Sequence, residues 1–124
     1  MVATDRVKEI FTDARSLQDD ALRRLDQGDI RDAAEKAWCA TRRATDDLAV
    51  ARTGEEPHTT ARTSNDDDAL ASRDNSIKPL VGRYYSRISQ LHGSCFYDGI
   101  CNEETERRIH QTIDYIRDAE ALTA

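Results

Sequence analysis

The chain has 124 residues and a formal net charge of −6, from 24 Asp and Glu against 18 Lys and Arg. That balance excludes wholesale, charge-driven binding to nucleic acid or to an acidic membrane, while leaving room for a local basic site. A chain of this length is one domain. With 38% apolar residues, two Phe and one Trp, its core must come from Leu, Ile, Val and many Ala, which suits amphipathic helices.

In chain order, the first helix is expected from about Thr4 to about Gln27. Val7, Ile10, Phe11, Ala14, Leu17, Ala21, Leu22 and Leu25 repeat at three and four along it. Asp and Glu in MVATDRVKEIF stand where a signal peptide would be apolar, so a cytoplasmic location is expected. Gly28 is a natural stop and Asp29 a natural cap, so the two predict a tight turn between antiparallel helices. The second helix follows from about Ile30 to Arg52, with an Ala-rich stripe flanked by Trp38 and Cys39.

Residues 53–65, TGEEPHTTARTSN, have the chemistry of a polar loop. A short helix capped by Ser64 or Asn65 is expected next, with Asp66, Asp67 and Asp68 in its first turn. The acids there favour the positive helix end rather than a metal. A fourth helix is expected over about Ile77 to His92, ended by Gly93. Asn102 then caps a last helix, with Glu103 and Glu104 in its first turn and Ile109, Ile113, Ile116, Ala119 and Leu122 inward. The expected fold class is all-α: an up-and-down antiparallel bundle of four to five helices, in one domain over residues 1–124. A small Ala-rich core also favours a homodimer.

The segment NSIKPLVGRYYSRISQLHGSCFY, residues 75–97, holds no Asp or Glu, yet carries Lys78, Arg83, Arg87 and His92. Such a segment in an acidic chain suits a phosphate or another anion. Arg87 offers a permanent forked cation and His92 a proton near neutral pH. Together they fit phosphodiester cleavage of RNA, with Arg87 on the phosphate and His92 as general acid or base. Lys78 and Arg83 would attract the backbone, and Tyr84 would stack on a base. Residues five apart on a straight α-helix point well away from each other, so this pair converges only if the helix ends near His92 or a second subunit completes the site. The other reading is an ordinary surface Arg and a half-buried His.

His92, Cys95, Cys101 and His110 have the residue types of a zinc site, but their spacing matches no common pattern, so no metal is expected. A Cys95–Cys101 disulfide is sterically possible. An odd count of three Cys and a cytoplasmic location argue instead for free thiols. No Gly-rich phosphate loop, no Ser-His-Asp arrangement and no cofactor motif is present.

GDIRDAAEKAWCATRRATDDLAVARTG, residues 28–54, resembles the second helix of HEPN-type proteins, especially the archaeal PaREP1-like branch. RYYSRISQLHGSCFYDGIC, residues 83–101, resembles that branch's later helix with its Leu-His and Phe-Tyr elements. The resemblance implies a helical bundle, usually dimeric. It also implies a metal-independent endoribonuclease of a toxin–antitoxin or defence system, with an Arg, four to six residues and a His. Arg87 and His92 fit that pattern. Active members commonly carry a polar residue after the Arg, where this chain has Ile88. Other members are non-catalytic and bind nucleotides or partner a small nucleotidyltransferase. The partners so implied are a second copy, RNA, and a nucleotidyltransferase or an antitoxin, with no membrane.

Overall fold

A computed structural model describes residues 2–123, so the ends of the expected domain, residues 1 and 124, lie outside the described residues. The helices are α1 (Val2–Asp26), α2 (Ile30–Thr53), α3 (Thr60–Arg73), α4 (Lys78–Arg87), α5 (Glu103–His110) and α6 (Thr112–Ala121). A π-helical segment, Ile88–Tyr97, continues α4 without a break. The described residues form an all-α bundle with no strand. None of their helices is long and apolar enough to cross a membrane.

The α1–α2 hairpin turns as its sequence predicts. Gly28 takes φ +81°, and the Asp29 carboxylate accepts from the Asp32 N–H at 3.1 Å. The second helix is the centre of the bundle: α1, α3, α4, the π-helical segment, α5 and α6 all pack on it. That position explains its composition. Ala33, Ala34, Ala37, Ala40, Ala44 and Ala49 are buried around several faces, and small side chains let neighbouring backbones approach on each. Trp38, the aromatic residue of α2, is buried and meets Tyr84 edge-on at 5.3 Å.

Three boundaries differ from the sequence reading. The third helix starts at Thr60, capped by Thr59, so neither Ser64 nor Asn65 is its cap. Thr63 and Ser64 sit inside the helix because their hydroxyls are satisfied there. The Ser64 hydroxyl donates to the Thr60 carbonyl, and the Thr63 hydroxyl shares its one proton between the Asp46 carboxylate at 2.6 Å and the Thr59 carbonyl at 3.1 Å. Asp66, Asp67 and Asp68 therefore fall mid-helix, and Asp67 is buried.

Gly93 does not end the fourth helix. Its backbone stays helical and the chain turns only after Tyr97, where Gly99 takes φ +71°. The last helix breaks at Gln111, between α5 and α6. Asn102 caps α5 as expected, in a reciprocal box with Thr105. Ile109, Ile116 and Ala119 are buried, while Ile113 and Leu122 are half-buried.

Candidate functional site: an arginine cavity and a carboxylate-held histidine

The fourth helix and its π-helical extension run antiparallel to α2. Arg87 meets Thr41, His92 meets Glu35, and Cys95 lies against Ile30. In a turn wound i→i+5, residues five apart come closer into line than in an α-helix, so Arg87 and His92 both face α2. They meet it at separate places.

Arg87 is 6% exposed. Its Nε donates to Thr41 Oγ1 at 2.9 Å, and its Nη2 donates to the Arg108 carbonyl at 2.8 Å and to Thr112 Oγ1. The guanidinium stands 5.9 Å from the Tyr115 ring centre. All of these partners are neutral. Among the described residues Arg87 has no carboxylate partner, and its Nη1 has no hydrogen bond. Burial pushes its pKa down to about 10, and Arg83 and Arg108 push the same way.

This guanidinium reaches a cavity of about 370 Å³ between α4 and the α5–α6 corner, shared with Arg83, Ser86, Arg108, Gln111 and Asp114. With Arg87 itself, three of the lining side chains are cationic and one is acidic. Arg83 is engaged, donating at 2.6 Å to Asp118, which does not line the cavity. The Arg108 side chain, half-buried, has no hydrogen bond or ion pair among the described residues. His92 does not line this cavity.

His92 lies instead beside α2, with its Nδ1 at 2.8 Å from Glu35 Oε1 and 3.0 Å from Oε2. Tyr97 meets the ring edge-on at 4.9 Å, Phe96 stacks at 6.1 Å, and Trp38 lies tilted at 6.1 Å. The His92 side chain is 32% exposed, so its far edge reaches solvent while Glu35 holds the near one. Such a pairing orients an imidazole for proton transfer.

The remaining expected site residues are spread out. Lys78 is exposed at the start of α4. Tyr84 is fully buried, and its hydroxyl lies 2.7 Å from the Ser64 hydroxyl, so its ring cannot stack on a base in this conformation. Cys95 and Cys101 are joined in a disulfide that closes the turn around Gly99, against the expectation of free thiols; Cys39 alone is free. A reduced-compartment argument says nothing about local geometry, and here the turn brings the two Cα atoms to 4.7 Å. Among the described residues no three His, Cys, Asp or Glu side chains converge as a metal site.

Sequence reasoning missed Glu35, Thr41, Arg108 and Thr112. Each lies outside the acid-free segment, and no spacing along the chain signals contacts made across a bundle. Across known proteins, the model of the archaeal PaREP1/PaREP8 family matches residues 9–119. No curated protein and no solved structure matches the chain.

Proposed function

The chain belongs to the archaeal PaREP1/PaREP8 family, and from that premise we propose that it is an HEPN-type, RNA-directed module that acts by binding rather than by cutting. One observation carries this reading: Arg87 opens onto a cavity that His92 does not line. A phosphate held by Arg87 would therefore not be presented to His92 of the same subunit, whereas general acid–base cleavage needs both groups on one phosphodiester. Ile88, directly after the Arg, supports the same conclusion. A homodimer, and a nucleotidyltransferase or antitoxin partner, belong to this proposal on the strength of the resemblance.

A second reading draws on Glu35. A carboxylate-held imidazole with a solvent-facing edge suits a proton shuttle, and a cation from a second subunit could complete it across a dimer. One experiment separates the two. Purified protein is incubated with varied single-stranded RNAs in chelator, and binding and product formation are followed together. The binding reading expects complexes, with no products above those of His92→Ala. Metal-free cleavage lost in His92→Ala, with the fold kept, refutes it in favour of the dimer enzyme.

A further inference from the structure

Arg87 presents an unusual balance of charge. A buried cation ordinarily sits against a carboxylate, because removing it from water unpaired is costly. Here the protein supplies only hydroxyls and a carbonyl. The neighbouring charges worsen the position, since Arg83 and Arg108 line the same cavity. Asp114 is the one acid at the wall, and it lies 4.0 Å from Arg117 on α6. Asp118 engages Arg83 but does not itself line the cavity. The Arg108 side chain and Arg87 Nη1 thus remain without protein partners among the described residues, with Ser86 and Gln111 beside them as neutral donors.

We propose that this cavity is a binding site for one phosphate group, held by Arg87 at its floor and by Arg108 and Arg83 at its walls. The inference rests on the binding reading above and names the chemistry that the module takes. A tetrahedral oxyanion accepts from several directions, and forked guanidinium groups meet it with paired N–H donors. A free carboxylate has fewer acceptor directions for three converging cations. The volume holds a phosphate with room for a sugar, and among the described residues no aromatic ring lines the cavity to stack a base. Recognition is therefore of the phosphate, whether on a nucleotide or on RNA. His92 has no part in it.

The test compares the wild type with Arg108→Gln and with Arg73→Gln. Arg108→Gln removes a cavity cation whose side chain makes no hydrogen bond or ion pair among the described residues, and circular dichroism checks that the fold is kept. Arg73→Gln removes the same charge from the exposed end of α3, outside the cavity. Calorimetry with inorganic phosphate, then with adenosine monophosphate, should show binding to the wild type and to Arg73→Gln. Arg108→Gln should bind about tenfold or more weakly, the loss expected for a hydrogen bond between charged groups. His92→Ala should bind as the wild type does. Equal affinity in the wild type and Arg108→Gln, or equal loss in both Arg variants, overturns the site. A single-stranded RNA with a 5′-phosphate or a 5′-hydroxyl then identifies the source. Preference for the phosphorylated end supports a terminal phosphate, and equal binding lost in Arg108→Gln supports the backbone. RNA bound equally by the wild type and Arg108→Gln removes the cavity but leaves the RNA reading standing. Phosphate bound through Arg108 with no RNA binding does the reverse.

Discussion

Asp47→Asn should remove most of a steep loss of stability with rising pH. Asp47 is fully buried on α2, and among the described residues neither of its carboxylate oxygens has a hydrogen-bond partner. Desolvation raises its pKa from 3.8 to about 8; the attraction of Arg43 opposes this and Glu120 reinforces it. The folded carboxyl therefore keeps its proton at a pH where the unfolded one has lost it. Stability from this group is complete below the unfolded pKa and is lost as pH rises through the folded pKa. Each pH unit within that window removes about 1.4 kcal/mol, so going from about pH 5 to about pH 8 removes roughly 4 kcal/mol.

That is a large share of the total, since a chain of this size is stable by roughly 6–19 kcal/mol. In thermal denaturation followed by circular dichroism, at about 4 °C per kcal/mol, the wild type should lose on the order of 16 °C over this range. The amide that Asp47→Asn introduces cannot ionise. The variant should melt close to the wild type at the acidic end and above it at the basic end. Asp67 adds to the effect, since both its oxygens also lack partners among the described residues and burial, reinforced by Asp68, raises its pKa to about 7. The double variant with Asp67→Asn should therefore show the flattest profile. The informative quantity is the difference between variant and wild type, which cancels whatever the two share. An Asp47→Asn profile parallel to the wild type, or lying below it at the basic end, would refute the reasoning.

Alkylation of the unfolded, unreduced protein should label Cys39 alone, and labelling after reduction should reach all three thiols; mass spectrometry showing three labels before reduction would remove the Cys95–Cys101 bond. Gly54→Ala should cost about 1 kcal/mol, because this residue ends α2 at φ +80° with its N–H on the Val50 carbonyl. An unchanged urea midpoint would contradict that. Arg87→Met should keep or raise the melting temperature while abolishing phosphate binding, and a variant that melts several degrees lower would show Arg87 to be mainly a structural pin.

The helical class and the α1–α2 hairpin are legible in the sequence because they rest on local signals. Apolar spacing and the Gly28-Asp29 turn act within a few residues of each other. The Thr59 cap is not legible because Ser64 and Asn65 are equally good caps by chemistry; the Thr63–Asp46 hydrogen bond, a contact across helices, decides between them. Gly93 misleads for a related reason. A glycine often stops a helix, but here the chain winds more widely through Ile88–Tyr97 and turns only at Gly99. Of the candidate site, the sequence displays Arg87 and His92 but not what holds them. Arg87 depends on Thr41 and Thr112, far away along the chain, and His92 depends on Glu35. Tyr84 shows the limit most clearly, since its position in a basic segment points to stacking and its place on the core face of α4 buries it.

Whether Arg87 serves the fold or a ligand can be argued from what remains when it is removed. The Thr41 hydroxyl donates to the Ala37 carbonyl at 2.8 Å, and the Thr112 hydroxyl to the Arg108 carbonyl at 3.2 Å. Both hydroxyls, and the Arg108 carbonyl, therefore keep a partner without the guanidinium. A Met side chain at 87 would fill similar space along Tyr115 and bring no charge out of water. Replacing a buried ion by a well-packed apolar group is often neutral or stabilising, by about 1–4 kcal/mol where it stabilises. By this reckoning the cation contributes little that the fold requires, and its burial beside Arg83 and Arg108 is unfavourable when the cavity is empty. An anion in the cavity reverses the sign: the charges that repel one another then share a partner, and the poor hydration that raised the cost of Arg87 strengthens its hold on the phosphate. The arrangement is thus more readily explained as a site prepared for a ligand than as a device of stability.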